Sequence, residues 1–257
     1  MTKRVRPKKF LGQHFLKDLS VAKRIADSLS LNGYKRVLEV GPGMGVLTKF
    51  LLERPLDLTV IELDRESVPY LRNHFPELEE NIIEGDFLRF PVDQVFKEQF
   101  ALIGNYPYNI SSQILFKALE HRDLIVEVGG MFQREVAQRV ASKPGSKVYG
   151  VISVLIQAYY DVEYLFTVDE GAFNPPPKVK SGVILLRRKE NQNLGCDEKL
   201  FKRIVKMSFN QRRKTIRNSL KALTGKEFEN EFLKQRPEQL SVDDFVKLTR
   251  EIEKLQL

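Results

Sequence analysis

Asn105-Tyr106-Pro107-Tyr108 follows the apolar run Ala101-Leu102-Ile103-Gly104 and precedes Asn109-Ile110-Ser111-Ser112, where a helix is expected to begin. These residues suit chemistry on an amino group attached to a flat heterocycle. Such an amine is a poor nucleophile, because its lone pair is delocalised into the ring. The Asn105 carbonyl and a backbone carbonyl can accept its two hydrogens, which favours a pyramidal nitrogen with its lone pair aimed at a methyl donor. Pro107 fixes the turn and brings no N–H to compete. Tyr108 can stack on the base and hold it in a near-attack geometry. No strong general base is required, so none of the three histidines is needed. Alone, the motif reads equally well as a strand-exit turn, for which Asn and Pro are common.

An earlier loop decides between these readings. Glu39-Val40-Gly41-Pro42-Gly43-Met44-Gly45 closes the apolar run from Val37. Gly41 and Gly43 let the backbone turn tightly and approach a ligand closely. Glu62 follows Gly41 by 21 residues, near the ~20-residue offset at which an acid meets ribose hydroxyls in nucleotide-binding α/β folds. Asp86, in Gly85-Asp86-Phe87, ends the next strand, where its carboxylate could accept from an adenine amino group. The glycine spacing is not that of a dehydrogenase fingerprint, and no Gly-Lys-Ser/Thr follows to make a P-loop. Glu39 beside the loop is awkward for a pyrophosphate and better suited to a cation. S-adenosylmethionine carries a sulfonium and an ammonium and no phosphate, so the acid-lined site fits it. Farther on, Phe173-Asn174-Pro175-Pro176-Pro177 could wall the base pocket with Phe173, or serve only as a proline-rich connector.

The elements that must position these groups are short. Seven strands are expected at Val37–Val40, Leu58–Glu62, Ile82–Glu84, Ala101–Gly104, Ile125–Met131, Val162–Phe166 and Val183–Arg187. They alternate with helical patterns, as in a mostly parallel sheet covered on both faces. Asp18 to Leu29 reads as a helix with an apolar face ahead of the sheet. Near Arg188–Glu198 the composition turns polar, like a linker. Beyond it three helices are expected: Lys199 to about Leu223, Lys226 to Lys234, and Val242 to Leu255, the last capped by Ser241.

The 257 residues can bury one good core and carry a small appended domain. Cys196 is the only cysteine, which excludes a disulfide framework or a cysteine zinc site and favours a reducing compartment. No stretch approaches a membrane span or a signal peptide, so a soluble, cytoplasmic protein is expected. No metal is implied. The net charge is +8. Residues 1–17 hold six cations (Lys3, Arg4, Arg6, Lys8, Lys9, Lys17) and no acid, and residues 201–221 hold eight and no acid. The rest of the chain is therefore mildly acidic. Acid-free blocks flanking an acidic body look like a footprint for a polyanion. In the second block, Lys206, Arg212, Arg213, Lys214, Arg217 and Lys221 would bind phosphates without reading sequence.

With these residues in place, the chain resembles the KsgA-type ribosomal RNA adenine dimethyltransferases. The matching stretches are Phe10 to Leu16, Glu39 to Gly45, Val60 to Asp64, Gly104 to Ser111, Phe173 to Val179 and Phe209 to Leu220. They run from end to end, and the first and last are the most specific. The resemblance implies a Rossmann-like class I methyltransferase with a mostly parallel seven-stranded sheet, plus a small all-α C-terminal domain. Residues 1–190 would form the S-adenosylmethionine-dependent domain with its basic arm, and 191–257 the helical rRNA-binding domain. It also implies dimethylation of two adjacent adenosines near the 3′ end of small-subunit rRNA, on the 30S subunit or its precursor, with no obligate protein partner. His14 and Leu16 would touch the cofactor along with Gly41, Glu62, Asp86 and Asn105. Two positions depart from the family: His14 stands where Asn is usual, leaving a backbone contact as the expectation. Tyr106 stands where Leu is usual, at a position that offers mainly its backbone. An Erm-like enzyme acting on large-subunit rRNA is the alternative chemistry. An RNA-binding assembly factor with secondary methylation is the alternative class.

Overall fold

The computed structural model describes residues 7–8, 11–225 and 227–255. Lys3, Arg4, Arg6, Lys9, Phe10 and Lys226 lie outside them. The chain forms two compact units, one of Met1–Ala137 with Val162–Arg188 and the other of Gln138–Asp161 with Lys189–Leu257.

The strands in chain order are β1 (Phe15–Leu16), β2 (Arg36–Val40), β3 (Asp57–Glu62), β4 (Ile82–Glu84), β5 (Phe100–Asn105), β6 (Ile125–Gln133), β7 (Tyr160–Val168), β8 (Phe173–Asn174) and β9 (Ser181–Arg188). Seven of them form one sheet in the order β4-β3-β2-β5-β6-β9-β7, covering all seven expected strands. Pairing is parallel from β4 through β6, and β9 joins β6 antiparallel. β2 and β5 are fully buried over most of their length, which is why they read as continuous apolar runs rather than alternating ones. The chain leaves β2 toward β3 on one side, while β5 lies on the other. This reversal of strand order opens a crevice at the carboxyl ends of β2 and β5, where open α/β sheets bind ligands.

Between the strands of this unit run α1 (Leu19–Asp27), α2 (Thr48–Leu52), α3 (Ser67–His74), α4 (Val92–Val95) and α5 (Ser111–Glu120). Asp18 caps α1 by accepting from the Ser20 and Val21 N–H groups, a contact worth about 1 kcal/mol. The face of α1 carrying Val21, Ala22, Ile25 and Ala26 is buried. A separate two-stranded pairing joins β1 to β8, with Leu16 opposite Phe173.

After α6 (Arg134–Val140), the second unit contains α7 (Val151–Gln157), α8 (Glu198–Asn210), α9 (Ile216–Thr224) and α10 (Val242–Glu253). Its first segment, residues 138–161, groups with the C-terminal residues, which the sequence expectation of a domain starting at 191 did not include. α8 packs against α7, α9 and α10. Ser241 caps α10 and forms a capping box with Asp244, as its sequence suggested.

Two helical expectations are corrected. The run from Lys199 to Leu223 is not one helix but α8 and α9, interrupted at 211–215. The reason is tertiary: the Ile216 and Arg217 N–H groups donate to the Gln235 and Leu233 carbonyls, which caps α9 from outside. Residues 227–230 are irregular and 231–234 form a turn, not a helix. Asn230 accepts the Phe232 N–H through its side chain, a local bond that competes with helix formation.

Candidate active site

The carboxyl ends of β2 to β5 surround a cavity of about 160 Å³. His14, Gly41, Gly43, Glu62, Asp86, Asn105, Pro107 and Tyr108 all line it. Residues 11–15 of the N-terminal arm form one wall. Gly41 turns with φ +70°, and a Cβ built on it meets nothing within 4 Å. A side chain there would stand in the cavity. An adjoining cavity of about 30 Å³ is lined by Leu16, Glu39, Gly41, Gly43 and Asn105 among others.

The acids are set at different depths. Glu62 is buried and accepts from the Gly43 N–H at 2.9 Å and the Asp64 N–H at 2.8 Å, one on each oxygen. The glycine turn and the end of β3 are thus held by one carboxylate, which retains further lone pairs. Burial raises its pKa. Glu39 is deeper still, accepting from the Thr48 hydroxyl at 2.7 Å, and burial pushes its pKa up to about 8. Asp86 accepts from the Leu88 N–H at 2.9 Å through Oδ1, and a loose contact with Arg89 reaches Oδ2.

Asn105 ends β5. Its amide Nδ2 donates to the His14 carbonyl at 3.0 Å, so the Oδ1 end is left to accept. His14 therefore meets the site through its backbone carbonyl, while its ring Nδ1 lies 2.9 Å from the Pro175 carbonyl. The His14 and Tyr108 rings sit 5.5 Å apart at a 31° tilt. The Tyr108 hydroxyl contacts the Ser181 hydroxyl, which fixes the ring at the cavity wall. The Pro107 carbonyl is taken by the Ile110 N–H and the Ser111 hydroxyl.

The structure does not bring Phe173 to the cavity. Its ring is buried opposite Leu16 in the hydrophobic core, because the β1–β8 pairing carries both side chains inward. Phe173 anchors the arm rather than walling a base pocket.

Three side chains hold the site together in ways the sequence did not point to: Asp64, Lys8 and Tyr106. Asp64 is buried and binds the Lys8 ammonium, with Gln13 Nε2 at 3.3 Å. Burial opposes ionisation of Asp64, yet Lys8 and the Glu66 N–H hold its pKa below the usual value. This ion pair ties the arm to the loop after β3. Lys8, expected in a polyanion footprint, is therefore spent within the protein. The Tyr106 ring is buried and its hydroxyl donates to the Gly129 carbonyl at 2.9 Å. Asp64 stands in one of the family-like stretches, but a partner 56 residues away leaves no periodic signal.

In the second unit, Lys206, Arg213, Lys214 and Lys221 are exposed. Arg212 donates from its guanidinium to the Lys147 carbonyl. Arg217 is not a free cation, since its Nη2 reaches both Glu229 oxygens at 2.8 and 2.7 Å.

A mostly parallel seven-stranded sheet, with a glycine turn and acid-ended strands around one crevice, defines a Rossmann-like methyltransferase fold. A model of the family described as ribosomal RNA adenine dimethylase matches residues 4–254. The ribosomal RNA small subunit methyltransferase A of Flavobacterium johnsoniae is 60% identical over 253 residues, 97% of each chain. A dimethyladenosine transferase structure from Plasmodium falciparum aligns with TM-score 0.81 at 25% identity, covering 95% of this chain and 99% of that one. The 23S rRNA methyltransferase ErmE gives TM-score 0.69 at 26% identity, covering 93% and 99%. The chain belongs to the ribosomal RNA adenine dimethylase family.

Proposed function

We propose that this enzyme uses S-adenosylmethionine to dimethylate the 6-amino groups of two adjacent adenosines in the 3′-terminal hairpin of small-subunit rRNA. The observation that carries the reading is the orientation of Asn105. One of its amide N–H groups is engaged by the His14 carbonyl of the arm, which orients the amide so that its carbonyl is preset to accept from an amino group. The Pro107 carbonyl is occupied, which leaves that of Tyr106 as the backbone acceptor for the second hydrogen. With both hydrogens held, the nitrogen lone pair points away from the ring. Tyr108, braced by Ser181, holds the base from one side.

The donor set fits the cofactor. Glu62 has lone pairs for ribose hydroxyls, Asp86 Oδ2 for the adenine amino group, and Glu39 lies where a cationic group would enter. When bound, S-adenosylmethionine supplies an electrophilic methyl group on a sulfonium. Transfer of that methyl to the amine would form an N–C bond at the expense of the S–C bond, and the surplus proton of the resulting cationic amine would leave to water. Asn105 and the backbone acceptor stabilise that charge by positioning rather than by proton abstraction. A second round on the same nitrogen gives the dimethylated base.

The exposed cations of the second unit, Lys206, Arg213, Lys214 and Lys221 with Arg212, are proposed to contact rRNA phosphates. The 60% identity to a ribosomal RNA small subunit methyltransferase A, against 26% to the 23S rRNA methyltransferase ErmE, favours the small-subunit target. Asn105→Ala separates catalysis from binding. The expected result is loss of methylation by at least about a hundredfold, with RNA affinity kept; full methylation would remove Asn105 from the catalytic role.

A further inference from the structure

The loop between α6 and α7 belongs to the second unit and was assigned nothing by the sequence. It carries Lys143 and Lys147, both exposed. The loop is held at several points. Gly145 N–H donates to the Glu238 carbonyl at 2.6 Å, and the Ser142 hydroxyl to the Arg139 carbonyl at 2.7 Å. At its far end Tyr149 is buried edge-on to Phe209 of α8, 6.1 Å between ring centroids. Arg212 then bonds the Lys147 carbonyl, which places the loop's main chain directly against the break between α8 and α9. Among the described residues, no carboxylate forms an ion pair with Lys143, Lys147, Arg213 or Lys214. Arg217, by contrast, is matched by Glu229 on both oxygens.

We propose that the 143–147 loop is a second phosphate-binding segment of the RNA surface, made continuous with residues 212–214 by the Arg212–Lys147 contact, and that Arg217 lies outside that surface. This rests on the reading that the second unit engages rRNA. Unpaired cations on a pinned loop present charge without the cost of ordering the main chain, and several of them together suit the repeated phosphates of a nucleic-acid backbone. A guanidinium already holding a carboxylate gains little from exchanging it for a phosphate.

The test is binding of the full-length protein to a small-subunit rRNA transcript over a range of salt concentrations, with thermal melting to verify folding. Each lost phosphate contact should reduce the slope of log affinity against log salt by about 0.7 to 0.9. The double variant Lys143→Gln/Lys147→Gln is expected to lower that slope by about 1.5 and to weaken binding about tenfold at low salt, with melting unchanged. Arg213→Gln should lower it by about one contact, and Arg217→Gln should leave it unchanged. If Arg213→Gln lowers the slope and the lysine double variant does not, the loop is no part of the surface and the rRNA reading stands. If neither does, the rRNA reading of this unit falls and the inference with it. A slope change for Arg217→Gln equal to that of Arg213→Gln would overturn the exclusion of Arg217.

Discussion

Replacing Tyr106 by Phe removes one hydroxyl from a closed pocket and nothing else. The ring is 1% exposed and lies 4.6 Å from Phe132, tilted by 34°. Its hydroxyl donates to the Gly129 carbonyl at 2.9 Å. Room for it is made by glycines: a Cβ on Gly104 would fall 3.1 Å from the ring and one on Gly130 2.6 Å from it. The net hydrogen bond is worth about 1 kcal/mol, and the carbonyl left without its donor adds to that, so the variant should lose about 1–2 kcal/mol. The catalytic turn has independent ties, from the Tyr106 N–H to the Met131 carbonyl at 3.1 Å and from Asn105 to His14. Methyl transfer should therefore stay within about threefold of the parent at saturating substrate. Urea denaturation gives the first quantity and single-turnover methylation the second. A stability loss indistinguishable from zero would refute the buried hydrogen bond. A rate loss of about a hundredfold in a folded variant would mean that the hydroxyl takes part in the chemistry.

Other groups give sharper pH signatures. With a pKa of about 8, Glu39 is protonated at neutral pH in the free protein; if a cationic cofactor ionises it, binding at pH 7 should release ~0.9 proton. Calorimetry in buffers of different ionisation enthalpy measures this, and Glu39→Gln should abolish it. Because the folded pKa lies above the unfolded one, Glu39 also costs the free protein stability as pH rises from about 4.5 to 8, and Glu39→Gln should flatten that decline. Asp64 has the opposite sign: its folded pKa is depressed, so its contribution is present above the ordinary 3.8 and lost as pH falls below it. Asp64→Asn should flatten that acid limb and, by loosening the arm, raise the cofactor KM roughly threefold to tenfold, a range discounted for the partial exposure of Lys8. An unchanged KM would show that the Lys8–Asp64 tie does not shape the cavity. Gly130→Ala should destabilise by about 3 kcal/mol or more, since its φ is +143° and its Cβ would lie 2.3 Å from the Gly104 carbonyl. A melting temperature close to that of the parent would contradict the close backbone approach.

The strands and the strand-end acids were legible because each depends on local pattern. Val37–Val40 and Ala101–Gly104 read as buried strands from composition alone, and topology then placed Gly41, Glu62, Asp86 and Asn105 around one crevice. What was not legible depends on partners far away in sequence. Nothing near Asn105 announces that His14, 91 residues earlier, fixes its amide. Phe173 has the composition of a pocket wall, and only its pairing with Leu16 shows it to be core. Arg212 to Lys214 continue a helical pattern, yet the carbonyls of Gln235 and Leu233 take the Ile216 and Arg217 N–H groups, so a new helix starts there instead of one running through. The motif presents Tyr106 as a backbone contributor; the structure adds that its N–H donates to the Met131 carbonyl and that its ring and hydroxyl fill and tie the pocket.

The central claim concerns the target atom, and mapping the modified nucleotide tests it directly. The protein and labelled S-adenosylmethionine would be incubated separately with naked rRNA, small subunits and large subunits, all lacking prior modification. Two adjacent N6,N6-dimethyladenosines in the 3′-terminal hairpin of the small-subunit rRNA are expected, and their absence with Asn105→Ala. Label on a single adenosine of large-subunit rRNA, or equal labelling by the Asn105→Ala variant, would contradict it.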